Sequence, residues 1–284
     1  MLDSFFEVRG LRLHAKVRGD GPLTLLLHGW LDHAGSFDLL APLLPGRTVA
    51  IDFRGHGDSA WLGPGGFYHF IDYLADIDGA VEHFGAGEPV RIVGHSMGAA
   101  SALLYCGAQP GRISHLTMID ALPITQEPKD VPPRVTKHLE DLRATPAKRE
   151  RRKVASVEDA AERLMRNNAS LKREAALVLA QGNVAHVESA ASSNGFAWKW
   201  DPLLRARSPL PVTQDIVGLL AAQVTTKLLL LRAEKGILPD EGELRSRLPM
   251  LRYDLHTIPS TGHHVHLDAP DEVARLVIAA WDAQ

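Results

Sequence analysis

Cysteine is almost missing from this chain. Cys106 is the only one in 284 residues, so no disulfide can form within it, and a reducing compartment suits it. An excess of one charge is missing too. The sequence holds 31 Lys and Arg against 34 Asp and Glu, a net charge of −3, which gives no global electrostatic case for nucleic acid or an acidic membrane surface. No apolar run approaches the roughly 18 residues needed to cross a bilayer. The stretch 1–10 lacks a basic segment followed by a long apolar one. No signal peptide is therefore expected, and the cytoplasm is the default location. Repeats and low-complexity tracts are also lacking, which excludes solenoid and fibrous designs.

What remains is an ordinary globular composition, 45% hydrophobic and 23% charged, in a chain long enough to bury a substantial core. Apolar strand-like runs alternate with helical periodicities. Residues 5–8 and 11–17 read as an antiparallel pair turning at Gly10. Residues 48–51, 115–119, 226–231 and 253–258 read as strands, as does the apolar run from Val90 into Gly94, and the continuous apolar run 23–27 is the pattern of a strand buried on both faces of a parallel sheet. Apolar spacing predicts helices at 36–44, 70–84 and 271–281, and one after Ser96 that includes Cys106 as a core residue. This is a doubly wound α/β pattern with a mostly parallel, eight-stranded sheet. It breaks from Pro123 to about Val224, where helices are expected at 135–143, 157–167 (capped by Ser156) and 171–180. The organisation expected is thus a core at 1–122, a helical cap at 123–224 and a second core part at 225–284. The run Lys148-Arg149-Glu150-Arg151-Arg152-Lys153 reads as a solvated helix face. The aromatics of 196–200 either seal the cap or line a pocket.

The most informative stretch is Val90-Arg91-Ile92-Val93-Gly94-His95-Ser96-Met97-Gly98. An apolar strand runs into Gly-x-Ser-x-Gly and then small residues. Glycines at 94 and 98 leave room for a sharp bend that lifts Ser96 to the strand's end, with the next helix's amides behind it. In a doubly wound sheet, ligands bind at the strands' C-terminal ends, and His28, Asp52, Ser96, Asp120, Glu234 and His263 all follow apolar runs. Nucleophilic chemistry needs a serine, a histidine to take its proton and a carboxylate to hold the imidazole. The chain offers these in the order serine, carboxylate, histidine.

These residues carry a resemblance. His28-Gly29-Trp30, the loop from Asp52 to Ser59, the Ser96 motif, Asp120-Ala121-Leu122-Pro123 and the stretch from Gly262 to Pro270 resemble, in order and spacing, the landmarks of the α/β-hydrolase superfamily. Within it the chain is most similar to serine-hydrolase-like (kraken-type) proteins, in the run from His28 to Phe37 and in Arg232-Ala233-Glu234-Lys235-Gly236. The resemblance implies Ser96 as nucleophile and His263 as base, with the backbone amides of Trp30 and Met97 as the oxyanion hole. A serine in place of aspartate speaks against the haloalkane dehalogenase and epoxide hydrolase branches.

The acid departs from the commonest pattern, which puts an aspartate where this chain has Gly236. Asp120 and Glu234 are the two replacements, and Asp120 is favoured because it directly follows an apolar strand. His28, His95 and His56 are expected to brace loops. His263, His264 and His266 with Asp268 could suggest a metal, but the Gly-His start fits a base, so neither metal nor cofactor is expected. The function implied is hydrolysis of a small carboxylic ester through an acyl-enzyme. Action on a carbon–carbon, thioester or lactone bond, or ligand binding with little catalysis, are the alternatives.

Overall fold

The N-terminal hairpin forms first in the chain: β1 (Leu2–Val8) and β2 (Leu11–Arg18) pair antiparallel around Arg9 and Gly10, both in the left-handed region. The computed structural model describes residues 1–145, 149–187, 195–206 and 208–282. β3 (Leu23–Leu27) is buried at every position, as a central parallel strand must be. There follow β4 (Arg47–Ile51), α1 (Tyr73–Phe84), β5 (Val90–His95), α2 (Met97–Ala108) and β6 (Ile113–Ile119).

Between β6 and the rest of the sheet lie α3 (Val131–Ala144), β7 (Lys153–Val154), α4 (Val157–Asn167), α5 (Arg173–Asn183), β8 (Val184–Val187), β9 (Gly195–Trp198) and α6 (Gln214–Ala221). The sheet resumes with β10 (Lys227–Lys235), α7 (Glu241–Arg247) and β11 (Asp254–Gly262), and α8 (Val265–Asp268) and α9 (Pro270–Asp282) close the chain.

The eight strands stand in the order β1-β2-β4-β3-β5-β6-β10-β11, parallel except where β2 meets β1 and β4. Successive strand residues face opposite sides, so Leu25 and Leu27 enter the core shared with α1 and α2, while Leu26 enters the core under α9. Register fixes what stands at the C-terminal edge. His95 pairs with Ile119 and Ile119 with Leu231, so Ser96 and Asp120 leave the sheet side by side, next to Arg232 of β10. The ladder runs one step further, from the Ser96 amide to the Ile119 carbonyl at 3.1 Å and from the Asp120 amide to the Leu231 carbonyl at 2.7 Å.

Three expectations need revision. Residues 36–44 hold two short 3-10 turns, Ala34–Phe37 and Ala41–Leu43, not one helix. Pro42 cannot donate an amide hydrogen and interrupts an α-helix there. The segment expected to be a helical cap up to residue 224 also contains a small antiparallel sheet in the order β7-β9-β8. Its last helix, α6, belongs to the main core: Val217 and Ala221 join the cluster of α1 and α2, and a Cβ at Gly107 would lie 2.2 Å from the Leu220 carbonyl. The basic run is not a helix face, since Arg149–Arg152 carries no regular structure. Lys148 lies outside the described residues.

The insertion has its own core, where Ala160, Ala176, Leu179, Trp198 and Trp200 pack with Tyr68 and Leu267 of the sheet unit. Buried polar contacts fix it in place. Tyr68 Oη donates to Asp201 Oδ2 at 2.9 Å, and Arg149 pairs with Asp201 Oδ1 at 2.7 Å. His33 Nε2 donates to the Leu179 carbonyl at 3.1 Å, and Asn183 Nδ2 to that of Leu31 at 2.6 Å. Among the described residues no helix is long and apolar enough to cross a membrane.

Candidate active site

Ser96 occupies a conformation that side chains rarely adopt, φ 49° and ψ −117°, between the end of β5 and the start of α2. The turn survives because its neighbours lack side chains. A Cβ on Gly94 would lie 2.6 Å from Ala99 Cα, and one on Gly98 2.3 Å from the Leu27 carbonyl oxygen. Such strain persists only where the surroundings over-determine it, and it concentrates at functional sites. Met97 opens α2, so its amide is one of the free N–H groups at the positive end of the helix.

The loop after β3 packs directly on this turn: a Cβ on Gly29 would be 3.2 Å from Ser96 Cβ and 3.0 Å from His95 Nδ1. The Gly29 carbonyl is held by His28 Nδ1 at 2.7 Å and by the Asp32 amide at 3.3 Å. Because a trans peptide points its N–H opposite to its C=O, pinning that carbonyl aims the Trp30 amide the other way. His28 Nε2 in turn accepts from the Phe53 amide at 3.1 Å, which fixes Nδ1 as the protonated nitrogen. Burial pushes His28 down to about 4, so it stays neutral.

Asp120 follows β6 with φ 46°, a second residue in the left-handed region. Its carboxylate is fully buried and accepts three hydrogen bonds: from His263 Nδ1 at 2.8 Å, the Ala233 amide at 3.1 Å and the Ile237 amide at 2.9 Å. His263 directly follows β11, and its carbonyl accepts from His95 Nε2 at 2.9 Å. Thus Ser96, Asp120 and His263 come from the ends of β5, β6 and β11. Glu234 is elsewhere: it is exposed and accepts from the Ser260 amide at 2.8 Å. Of the two carboxylates weighed from the sequence, Asp120 is the one bonded to the imidazole.

Four histidines crowd this edge, with the His95 ring 4.6–4.8 Å from those of His263, His264 and His266. Burial, reinforced by the neighbouring imidazoles, drives His95 and His266 well below the ordinary range and His264 to about 3. Asp32 is buried beside them and pushed up to about 7 by that burial, against the pull of the His33 amide it accepts.

Asp32, His95 and His264 bring ligand-type atoms within 4.8 Å of one another. Zinc bonds of about 2.1 Å would set tetrahedral ligands about 3.4 Å apart, closer than the 4.0 Å from Asp32 Oδ2 to His95 Nδ1. This is not the geometry of a formed zinc site. The other group, His14, Asp52 and Asp58, is bound up internally: Asp52 Oδ2 already accepts from His14 Nδ1 and the Asp58 amide.

A cavity of about 330 Å³ opens beside His264, its walls including Trp30, Leu31, Asp32, Leu164 and Asn167. Trp30 and His263 are legible in the sequence, whereas Asp32 and His33 carry no signal of a role there. Isolated polar residues in a loop have no periodic signature, and only their place after His28-Gly29-Trp30 could have drawn notice.

The fold has counterparts among known proteins. Residues 24–276 match the alpha/beta hydrolase family, and the chain belongs to that family. Over 268 residues it is 31% identical to a serine hydrolase-like protein of Danio rerio, covering 90% of this chain and 80% of that one. A crystal structure of a hypothetical protein from Pseudomonas aeruginosa PAO1 superposes with a TM-score of 0.87 at 36% identity, covering 99% of both chains. The thioesterase domain from the curacin biosynthetic pathway superposes at 0.83 with 26% identity, covering 98% of this chain and 99% of that one.

Proposed function

We propose that the protein is a serine hydrolase that cleaves a small carboxylic ester through an acyl-enzyme. The observation that carries this is the 2.8 Å bond from His263 Nδ1 to buried Asp120, which follows the strand next to the one that ends in the strained Ser96 turn. Asp120 holds the imidazole with Nδ1 protonated, which leaves Nε2 free to accept the Ser96 hydroxyl proton. Ser96 Oγ attacks the acyl carbon. The amides of Trp30 and Met97 receive the charge that develops on the carbonyl oxygen, each such donor typically contributing about 3 kcal/mol.

Collapse breaks the ester bond, and His263 returns its proton to the leaving alcohol. A water deprotonated by His263 then releases the acid and restores Ser96. None of these steps calls for a metal or cofactor. The insertion acts as a cap over the edge, and the single buried cysteine suits the cytoplasm. The likeness to a thioesterase domain supports a second reading, a thioester in place of the ester, cleaved by the same groups.

Hydrolysis of p-nitrophenyl butyrate tests the proposal. Wild-type protein should turn it over and Ser96→Ala should lose at least about 1,000-fold in kcat. Turnover that survives Ser96→Ala would end it.

A further inference from the structure

Next to the cavity beside His264 lies a second one of about 270 Å³. The two share Leu31, Leu164, Asn167 and Arg205, so they adjoin along one stretch of the insertion's surface. The near one carries Trp30 and His264. The far one has buried Trp198 and Trp200 in its walls and is ringed by Arg152, Arg163, Arg166 and Arg205.

Charge is unbalanced there. Arg163 pairs with Asp159 at 2.8 Å, and the Ala155 amide, Arg163 and, least of the three, the Arg166 charge hold the same carboxylate below its ordinary value. Among the described residues, Arg152 and Arg205 have no carboxylate at ion-pair distance, and no acidic side chain lines the far cavity. Among the described residues that line the near cavity the only carboxyl is Asp32, which burial keeps largely protonated below about 7. Four arginines thus line a concave, indole-backed space, and of these only Arg163 has an ion-pair partner among the described residues. Guanidinium is the cation best shaped to bind carboxylate or phosphate oxygens in pairs.

We propose that this arginine-ringed cavity is a subsite for an anionic group, carboxylate or phosphate, carried by the substrate at a distance from the bond cleaved at Ser96. The proposal rests on the hydrolase reading above. It narrows the substrate from small esters in general to esters or thioesters with an anionic arm. Arg152 comes from the basic run before β7 and Arg205 from the turn after Trp200, so the insertion supplies the specificity while the sheet edge supplies the chemistry.

Matched substrates test it on the full-length protein. In one arm, p-nitrophenyl hydrogen glutarate is compared with p-nitrophenyl valerate, placing a carboxylate in the acyl part. In the other, butyryl-coenzyme A is compared with butyryl-pantetheine, placing phosphate in the leaving part. A preference of about tenfold or more in kcat/KM for the anionic member of either pair is expected. The arm that shows it says which side of the bond points to the arginines.

The Arg152→Gln/Arg205→Gln double variant should bring that ratio toward one, and Arg152→Lys/Arg205→Lys should keep part of it. Because each ratio is taken within one protein preparation, a loss of folded protein cannot imitate the result. Turnover of the neutral members with no anionic preference in either arm would overturn the subsite. So would a preference that the Gln variant leaves intact. Failure to hydrolyse any of the four would instead strike at the hydrolase reading itself.

Discussion

A Cβ on Gly236 would lie 2.2 Å from Asp120 Oδ2. The carboxylate bonded to His263 therefore fills the space that a side chain at 236 would need. The two positions are alternatives: an acid can arrive from the end of β6 or from the turn after β10, but not both at once. The turn even supplies two amide donors, at Ala233 and Ile237, to the carboxylate that replaces its own side chain.

Neutralising Asp120 is the first consequence to measure. Asp120→Asn should lower kcat for p-nitrophenyl butyrate at least about 100-fold, on the scale seen when a triad carboxylate is made an amide. Glu234→Gln, at an exposed side chain one strand removed, should change kcat by less than about twofold, within the small effect of a surface substitution. Steady-state kinetics of the two variants decide the matter.

The Gly236 relationship gives a sharper test. Gly236→Ala should displace the Asp120 carboxylate and cost about 100-fold in kcat, because catalysis is sensitive to misplacement near 1 Å. Moving the acid, as Asp120→Gly/Gly236→Asp, should recover activity over Asp120→Gly alone. Equal kcat values for the last two would show that the positions are not interchangeable.

The elbow makes a prediction about stability. Gly98→Ala would set a methyl group 2.3 Å from the Leu27 carbonyl oxygen and 2.7 Å from that of His28. Both are backbone atoms, at the end of central strand β3 and just beyond it, and cannot step aside cheaply. Urea unfolding should show a loss of about 1–3 kcal/mol, the usual cost of overpacking. Gly63→Ala, whose Cβ meets nothing within 4 Å, should stay within about 0.5 kcal/mol of wild type.

Buried titratable groups set opposing pH dependences. Asp32, raised from 3.8 to about 7 by burial, holds a proton in the folded state that the unfolded chain releases earlier. Its contribution is fully present below about 4 and is lost as pH rises through 7. His28 and His264 are lowered from 6.5 to about 4 and about 3, so theirs is present above 6.5 and lost as pH falls. Asp32→Asn removes only the first effect. Relative to wild type, its stability at pH 8 compared with pH 5 should be higher by about 2–3 kcal/mol. Melting curves at the two pH values would reveal an unchanged difference if Asp32 is not held protonated.

Much of this edge was legible in the sequence, and for physical reasons. β3 and β5 announce themselves because a strand buried on both faces must be apolar throughout, and the elbow because its bend needs glycine at 94 and 98. The acid was narrowed to Asp120 and Glu234 but not decided. That choice depends on the register shift between Ala233 and Lys235 and on the space over Gly236, which are properties of paired strands. Residues 36–44 misled because apolar spacing three and four apart serves a pair of 3-10 turns as well as a helix. Residues 214–221 fall within the expected cap because its boundary is drawn where the next buried strand begins, and the strand pattern does not say what the residues just before it pack against. The role of Arg152 lay hidden in a basic run, since a charged surface and a charged cavity wall have the same composition.

The central claim is that Ser96 is the nucleophile, and covalent trapping tests it most directly. Native protein would be treated with a fluorophosphonate probe and the adduct located by peptide mass spectrometry, beside Ser96→Ala. A phosphonyl group on Ser96 alone, formed at a rate that falls in Asp120→Asn, is the predicted result. Absence of an adduct on Ser96 in folded protein, or labelling that persists in Ser96→Ala, would contradict it.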